Sequence, residues 1–200
     1  MTIRVETIAF DIDSLLQRFA PKTALESYFE YLMRENERIN LVSRETSQED
    51  LNRLAAESLL PLSIVERNFT QYLDIGSGGG FPAIPLLLSG RIKGDTWLVE
   101  RTQKKAAALR RILDRLNLNA GVLAKTSEEL TFTTGFDLIT LRYVKLTSFL
   151  LKKILTWLEP AGRFLYYSTP EFDCSSFTAV CYSFATEFGD VTKSFTIFEP

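Results

Sequence analysis

Two hundred residues, 46% of them hydrophobic, are enough for one ordinary domain that buries a continuous core without disulfides. A net charge of −2 excludes a polycation that coats nucleic acid indiscriminately, and the lack of histidine excludes serine–histidine and cysteine–histidine catalysis along with the commonest zinc ligand. Cys174 and Cys181 have no metal-ligand spacing, no apolar run reaches the roughly 20 residues of a membrane span, and the opening MTIRVETIAFDID lacks a signal-peptide core. A soluble cytoplasmic protein without a metal is expected.

In chain order, the first clear element is a helix over Ala24 to Asn40, where Leu25, Tyr28, Phe29, Leu32, Met33 and Ile39 recur at helical spacing and Arg34, Glu35, Glu37 and Arg38 fall outside that face. A second helical stretch runs from about Ser47 to Val65. Together they predict an N-terminal helical cap over residues 1–68 within a single domain of residues 1–200. After Asn68 strands and helices alternate: YLDI, a helix from about Pro82, TWLVE, a helix over about Thr102 to Leu116, AGVLA, FDLITL, a helix through SFLLKKILTWL, and GRFLYYS. Such alternation predicts βαβ units and a largely parallel sheet covered by helices on both faces, an α/β fold. The tail from Phe177 to Phe198 reads either as a helix and strand or as a terminal hairpin turning at Gly189-Asp190, and in both cases it closes the sheet.

The stretch LDIGSGGGFPAIP, Leu73 to Pro85, carries most of the chemistry. A glycine loop after the first strand of an open α/β sheet lets a ligand approach the backbone closely. The dinucleotide spacing G-x-G-x-x-G is not met, because the sixth position from Gly76 is Phe81, and the P-loop lysine is missing; the pattern is G-x-G-x-G. Pro82 and Pro85 also lack the first-turn N–H groups that hold a phosphate at a helix N-terminus. The loop therefore keeps room for a nucleoside while giving up anion donors, which suits S-adenosylmethionine. The next strand ends at Glu100, whose carboxylate can accept from both ribose hydroxyls. The same acid serves NAD enzymes, so it supports this reading only together with the loop.

LDIGSGGGFPAIPL, LVERTQKKAAALRRIL, TSEEL and FDLITLRYVKL, preceded by NERINLVS, resemble the bacterial 16S ribosomal RNA guanine-N7 methyltransferases, the RsmG or GidB family, over roughly Tyr28 to Ser168. The resemblance implies a seven-stranded class I S-adenosylmethionine-dependent methyltransferase fold, Rossmann-like, with small-subunit ribosomal RNA as substrate. It implies that Gly76, Gly78 and Phe81 contact the cofactor, that Glu100 holds the ribose, and that Ser127 and Glu128 lie beside the adenine. Arg142 would line the cofactor and substrate cleft, orienting the guanine or the cofactor carboxylate, and Lys104 and Lys105 would engage RNA phosphate. Arg110, Arg111 and Arg115 contribute general charge. Guanine N7 has a free in-plane lone pair and no proton, so no general base is needed and the missing histidine is compatible with the reaction.

The chain departs from the family in several places. AAESLLPL keeps Glu57 and Ser58 but has no histidine, Thr126 replaces an arginine, and YYSTP and TIFEP replace more basic endings. These departures keep open an acceptor that is another RNA base, a protein or a small molecule, and also a silent fold that binds RNA or a ribosomal partner. A monomer is expected.

Overall fold

A computed structural model describes residues 4–133, 135–174, 177–185 and 192–200. Strand β1 (Arg4–Thr7) is followed by helices α1 (Ile12–Phe19), α2 (Lys22–Asn36) and α3 (Gln48–Leu59), the last extended by one 3-10 turn, Leu60–Ser63. Then come β2 (Phe69–Ile75), α4 (Ala83–Leu88), β3 (Ile92–Val99), α5 (Gln103–Arg115), β4 (Gly121–Leu123) and β5 (Phe136–Leu141). The chain ends with α6 (Ser148–Trp157), β6 (Leu158–Tyr166), β7 (Thr178–Ala185) and β8 (Thr192–Glu199).

The eight strands form one sheet in the order β1-β7-β8-β6-β5-β2-β3-β4. Strands β2 to β6 pair in parallel, and β8 runs antiparallel between β6 and β7. Seven of these strands answer the expected sheet. The eighth, β1, pairs in parallel with β7, so the segment before residue 69 is not wholly helical. The terminal hairpin is the form the tail takes, with Ala185 opposite Thr192, while Gly189-Asp190 lies outside the described residues.

Local rules account for the element boundaries. Helix α3 starts in a capping box, in which Ser47 Oγ accepts from Asp50 N at 3.1 Å and Asp50 Oδ2 accepts from Ser47 N at 3.0 Å. All six residues of β5 are buried, as expected of a central parallel strand covered on both faces. Asp137 is tolerated there because its carboxylate accepts from Thr70 N at 2.7 Å and Gln71 N at 3.0 Å, which ties β5 to β2.

The arginines of α5 are not general charge. Arg111 makes two bonds to the carboxylate of Glu35, at 3.0 and 2.6 Å, and Arg110 donates to the Val122 carbonyl at 2.6 Å, so one face of α5 grips α2 and β4. Those bonds hold the Glu35 carboxyl below the usual carboxylate range. No helix among the described residues is long and apolar enough to cross a membrane.

Candidate active site

From β2 the chain runs outward to β3 and β4, then returns to β5 on the other side of β2. A crevice opens at that reversal, above the carboxyl ends of β2 and β5, where ligands of open α/β sheets bind. A cleft of about 700 Å³ occupies it. The glycine loop after β2 forms its floor. Gly76 and Gly78 have φ of +80° and +52°, which L side chains adopt only with strain. A Cβ on Gly76 would collide with Val144 in the loop after β5, whereas a Cβ on Gly78 would meet only the Gly76 carbonyl, at 3.8 Å. Gly76 therefore allows the two loops to touch, and Gly78 keeps the cleft empty of side chain.

Four of the loop's backbone donors, Gly76 N, Ser77 N, Gly78 N and Gly80 N, are already used. Gly76 N and Ser77 N donate to the Val99 carbonyl at 2.8 and 2.9 Å, Gly80 N to Ser77 O at 2.7 Å, and Ile84 N to Gly80 O at 2.7 Å. Gly78 N donates to Glu100 Oε2 at 3.1 Å, and Thr102 N to Glu100 Oε1 at 2.8 Å. With these donors engaged the loop has fewer to offer an anion, in keeping with the reading from Pro82 and Pro85. Glu100, only 7% exposed, is fixed by two backbone donors, and each carboxylate oxygen keeps a lone pair for a ligand in the cleft.

Ser127 and Glu128 line the opposite wall, on the loop after β4. Hydrogen bonds from its own N–H and from Thr126 and Ser127 hold the Glu128 carboxyl below the usual range. Lys153 of α6 fixes this loop from behind, donating to the carbonyls of Ser127 at 3.0 Å and Glu128 at 2.8 Å. Phe81 lines the cleft with its ring packed on Tyr28, centroids 5.3 Å apart, and the Tyr28 hydroxyl donates to Gly79 O at 3.0 Å. The NERINLVS segment enters the wall because buried Asn36 Oδ1 accepts from Leu41 N at 2.7 Å and Val42 N at 3.0 Å, turning the chain across the cleft mouth.

Among the sequence-predicted residues, the cleft gathers Gly76, Gly78, Phe81, Glu100, Ser127, Glu128 and Lys105. Lys104 is exposed on α5 and does not line the cleft with Lys105. Arg142 stands apart from it too. Only 4% exposed, it donates from Nη2 to Glu57 Oε2 at 2.5 Å and from Nη1 to Ser58 Oγ at 2.9 Å and Leu54 O at 3.1 Å. Lys193 Nζ takes the other Glu57 oxygen at 2.5 Å. Glu57 and Ser58, the remnant of the family's cap stretch, thus anchor Arg142 at a smaller pocket of about 260 Å³ that also contains Tyr143 and Tyr167.

Sequence reading missed the basic rim. Arg101, Lys125 and Lys145 join Lys105 around the cleft, each lying two to four positions past the end of β3, β4 or β5. That shared offset from a strand's carboxyl end was the available signal.

Beneath the loop, Asp74 is fully buried. Its Oδ1 accepts from Thr140 Oγ1 at 2.5 Å, which in turn accepts from the Tyr72 hydroxyl at 2.8 Å; Oδ2 has no partner among the described residues. Burial raises the Asp74 pKa to about 6, and the Ser77 and Thr140 hydroxyls and the Arg142 charge offset only part of that effect. Between about pH 4 and 6 the folded protein keeps a proton that the unfolded chain releases, so this group's contribution to stability falls as pH rises through that window, by roughly 3 kcal/mol in all. The difference in denaturation midpoint between Asp74→Asn and the parent should therefore grow in favour of the variant from pH 4.5 to pH 7.5. A difference that stays flat with pH would remove the assignment.

A doubly wound sheet, a G-x-G-x-G loop at its switch point and an acid just past the next strand define a class I S-adenosylmethionine-dependent methyltransferase. The fold is similar to that of an O-methyltransferase from Bacillus cereus in complex with S-adenosylhomocysteine, with a TM-score of 0.64, 18% identity, and 94% of this chain and 96% of that one covered. It is also similar to the Thermus thermophilus 16S rRNA N2 G1207 methyltransferase in complex with AdoMet and guanosine, with a TM-score of 0.53, 21% identity, and 72% and 43% covered. Residues 22–183 match the GidB family, rRNA small subunit methyltransferase G, and the chain belongs to that family. A relative from Helicobacter pylori strain J99, ribosomal RNA small subunit methyltransferase G, is 36% identical over 144 residues, covering 72% of this chain and 79% of its own.

Proposed function

We propose that this protein transfers a methyl group from S-adenosylmethionine to N7 of a guanine in 16S ribosomal RNA, working in the cytoplasm as a monomer without a metal. The observation that carries this reading is Glu100, held by Gly78 N and Thr102 N at the edge of a cleft whose glycine loop has neither a P-loop lysine nor an N–H at Pro82 and Pro85. Such a site suits a ribose without a pyrophosphate. Bound there, S-adenosylmethionine supplies a sulfonium methyl group, which the N7 lone pair takes as the carbon–sulfur bond breaks and the positive charge passes to the purine.

The chain's own residues position the reactants. Glu100 accepts from the ribose hydroxyls, Gly76, Gly78 and Phe81 form the floor, and Ser127 and Glu128 receive the adenine edge. No residue has to remove a proton, so catalysis rests on alignment and on the electrostatics of the acceptor site. Arg142 acts on the acceptor side, through the network it makes with Glu57. Lys105, with Arg101, Lys125 and Lys145, meets RNA phosphate, and Lys104 adds to this face from α5. These contacts position the RNA without selecting a base. The helices of residues 12–59 serve as the cap that closes the cleft.

The test is transfer of labelled methyl from S-adenosylmethionine to small ribosomal subunits, or to 16S ribosomal RNA lacking the modification, with mapping of the labelled nucleotide. Label at guanine N7, with a yield that falls steeply as salt rises, is the expected result. Label at another atom or in protein would overturn it.

A further inference from the structure

Tyr143 follows β5 with φ of 58°, a left-handed conformation that a bulky aromatic residue rarely adopts. Its side chain is not tucked into the core, since the residue is 78% exposed. Yet it is held in place: the Arg142 guanidinium lies over the ring, 4.9 Å from its centre, and Arg142 Nη2 donates to the hydroxyl at 3.2 Å. Arg142 is fixed in turn by Glu57 and Ser58. Strained backbone that the surroundings enforce is concentrated at functional positions. Here the strain presents an aromatic face at the boundary between the cofactor cleft and the 260 Å³ pocket, both of which Tyr143 lines.

We propose that Tyr143 and this smaller pocket form the acceptor-base site, with an unstacked guanine of the RNA lying against the open face of the Tyr143 ring. The inference rests on the reading of the protein as an RNA methyltransferase. Proteins that act on an RNA base take it out of the stack and hold it against aromatic side chains. The pocket has the composition for this, with Tyr167, Phe184 and Phe195 as apolar walls and Ser168, Lys193 and Ser194 as polar edges. Its volume is below the range of sites for larger ligands and suits a single planar base.

The chemistry gives the ring a second task. Transfer leaves the purine positively charged, and the negative face of an aromatic ring attracts a cation above it. The stacking contact therefore strengthens as the methyl moves, which favours the transition state over the bound guanine. Arg142 lies over one face of the ring, and Glu57, which it shares with Lys193, offsets part of the positive charge there.

Tyr143→Trp, titrated with guanosine monophosphate and N7-methylguanosine monophosphate in the presence of S-adenosylhomocysteine, reads the site directly. Saturable quenching beyond that of the parent, whose Trp97 and Trp157 lie outside both pockets, is expected, with the methylated nucleotide bound severalfold more tightly. Tyr143→Ala should lower kcat/KM for RNA by about tenfold or more, well beyond its effect on the affinity for S-adenosylhomocysteine in the cleft it borders, and Tyr143→Phe should restore most of it. No extra quenching, or an alanine variant as active on RNA as the parent, would overturn the proposal. If the parent itself transfers no methyl to ribosomal RNA, the functional reading fails, and the nucleotide titration still decides whether the base site exists.

Discussion

Alanine at Arg142 should lower the stability of the folded protein by about 3 kcal/mol, because breaking a buried ion pair leaves its partner charged in a low-dielectric setting. Both Arg142 and Glu57 have side chains only 4% exposed, and they meet at 2.5 Å. The guanidinium also donates to Ser58 Oγ and the Leu54 carbonyl, so truncation removes those two bonds to α3 as well, though Ser58 Oγ keeps its own bond to Leu54 O. Lys193 still pairs with the second Glu57 oxygen, which keeps the loss from being larger. For a chain of this length, a drop in melting temperature on the order of 10 °C follows.

A paired replacement, Arg142→Met with Glu57→Met, should recover part of that loss, since both buried charges are removed and Lys193, which loses Glu57, is 37% exposed and reaches water. An Arg142→Ala protein that melts like the parent would show that the network carries no stability. Calorimetry with S-adenosylhomocysteine gives the functional half of the test. Arg142 does not line the main cleft, so cofactor affinity should survive the substitution at temperatures where the variant is folded, while activity on RNA falls.

Glu100→Ala is expected to weaken S-adenosylhomocysteine binding by about 100-fold or more, from the loss of hydrogen bonds to a charged group worth roughly 1.5–3 kcal/mol each. Glu100 also aligns the cleft, because Gly78 N and Thr102 N converge on its carboxylate from the glycine loop and the start of α5. Without it, the link between Gly78 and the start of α5 is lost, and the loop is held to the tip of β3 through Gly76 N and Ser77 N. Glu100→Gln should show an intermediate loss, since the amide keeps one acceptor but turns a donor toward a backbone N–H. The effect on melting temperature should stay below that of Arg142→Ala, as the freed N–H groups border an open cleft. Equal affinity in the alanine variant and the parent would exclude Glu100 from the cofactor site.

The strand and helix alternation after residue 68 was legible because each element carries its own periodicity, and the loop of Leu73 to Pro85 because glycine and proline act through local geometry. Glu100 could be found for the same reason, as the last residue of an apolar strand. The arginines of α5 could not. Nothing in QKKAAALRRILDR says that Arg111 closes on Glu35, some 76 positions earlier, whereas Lys104 is left exposed. Strand β1 was hidden as well, since four residues with a partner far along the chain leave little pattern to read.

By itself the sequence determined the fold class, the place of the glycine loop and the kind of ligand it admits, since these follow from short-range spacing and from the donors that prolines lack. Only the tertiary structure decided what the charged and aromatic side chains do. It buried Arg142 against Glu57 and Ser58, drew the basic residues after β3, β4 and β5 into one rim, and raised Tyr143 between two pockets. The physical reason is that the effect of a charge or a ring depends on its burial and its neighbours, and here those neighbours come from strands and helices far apart in the chain.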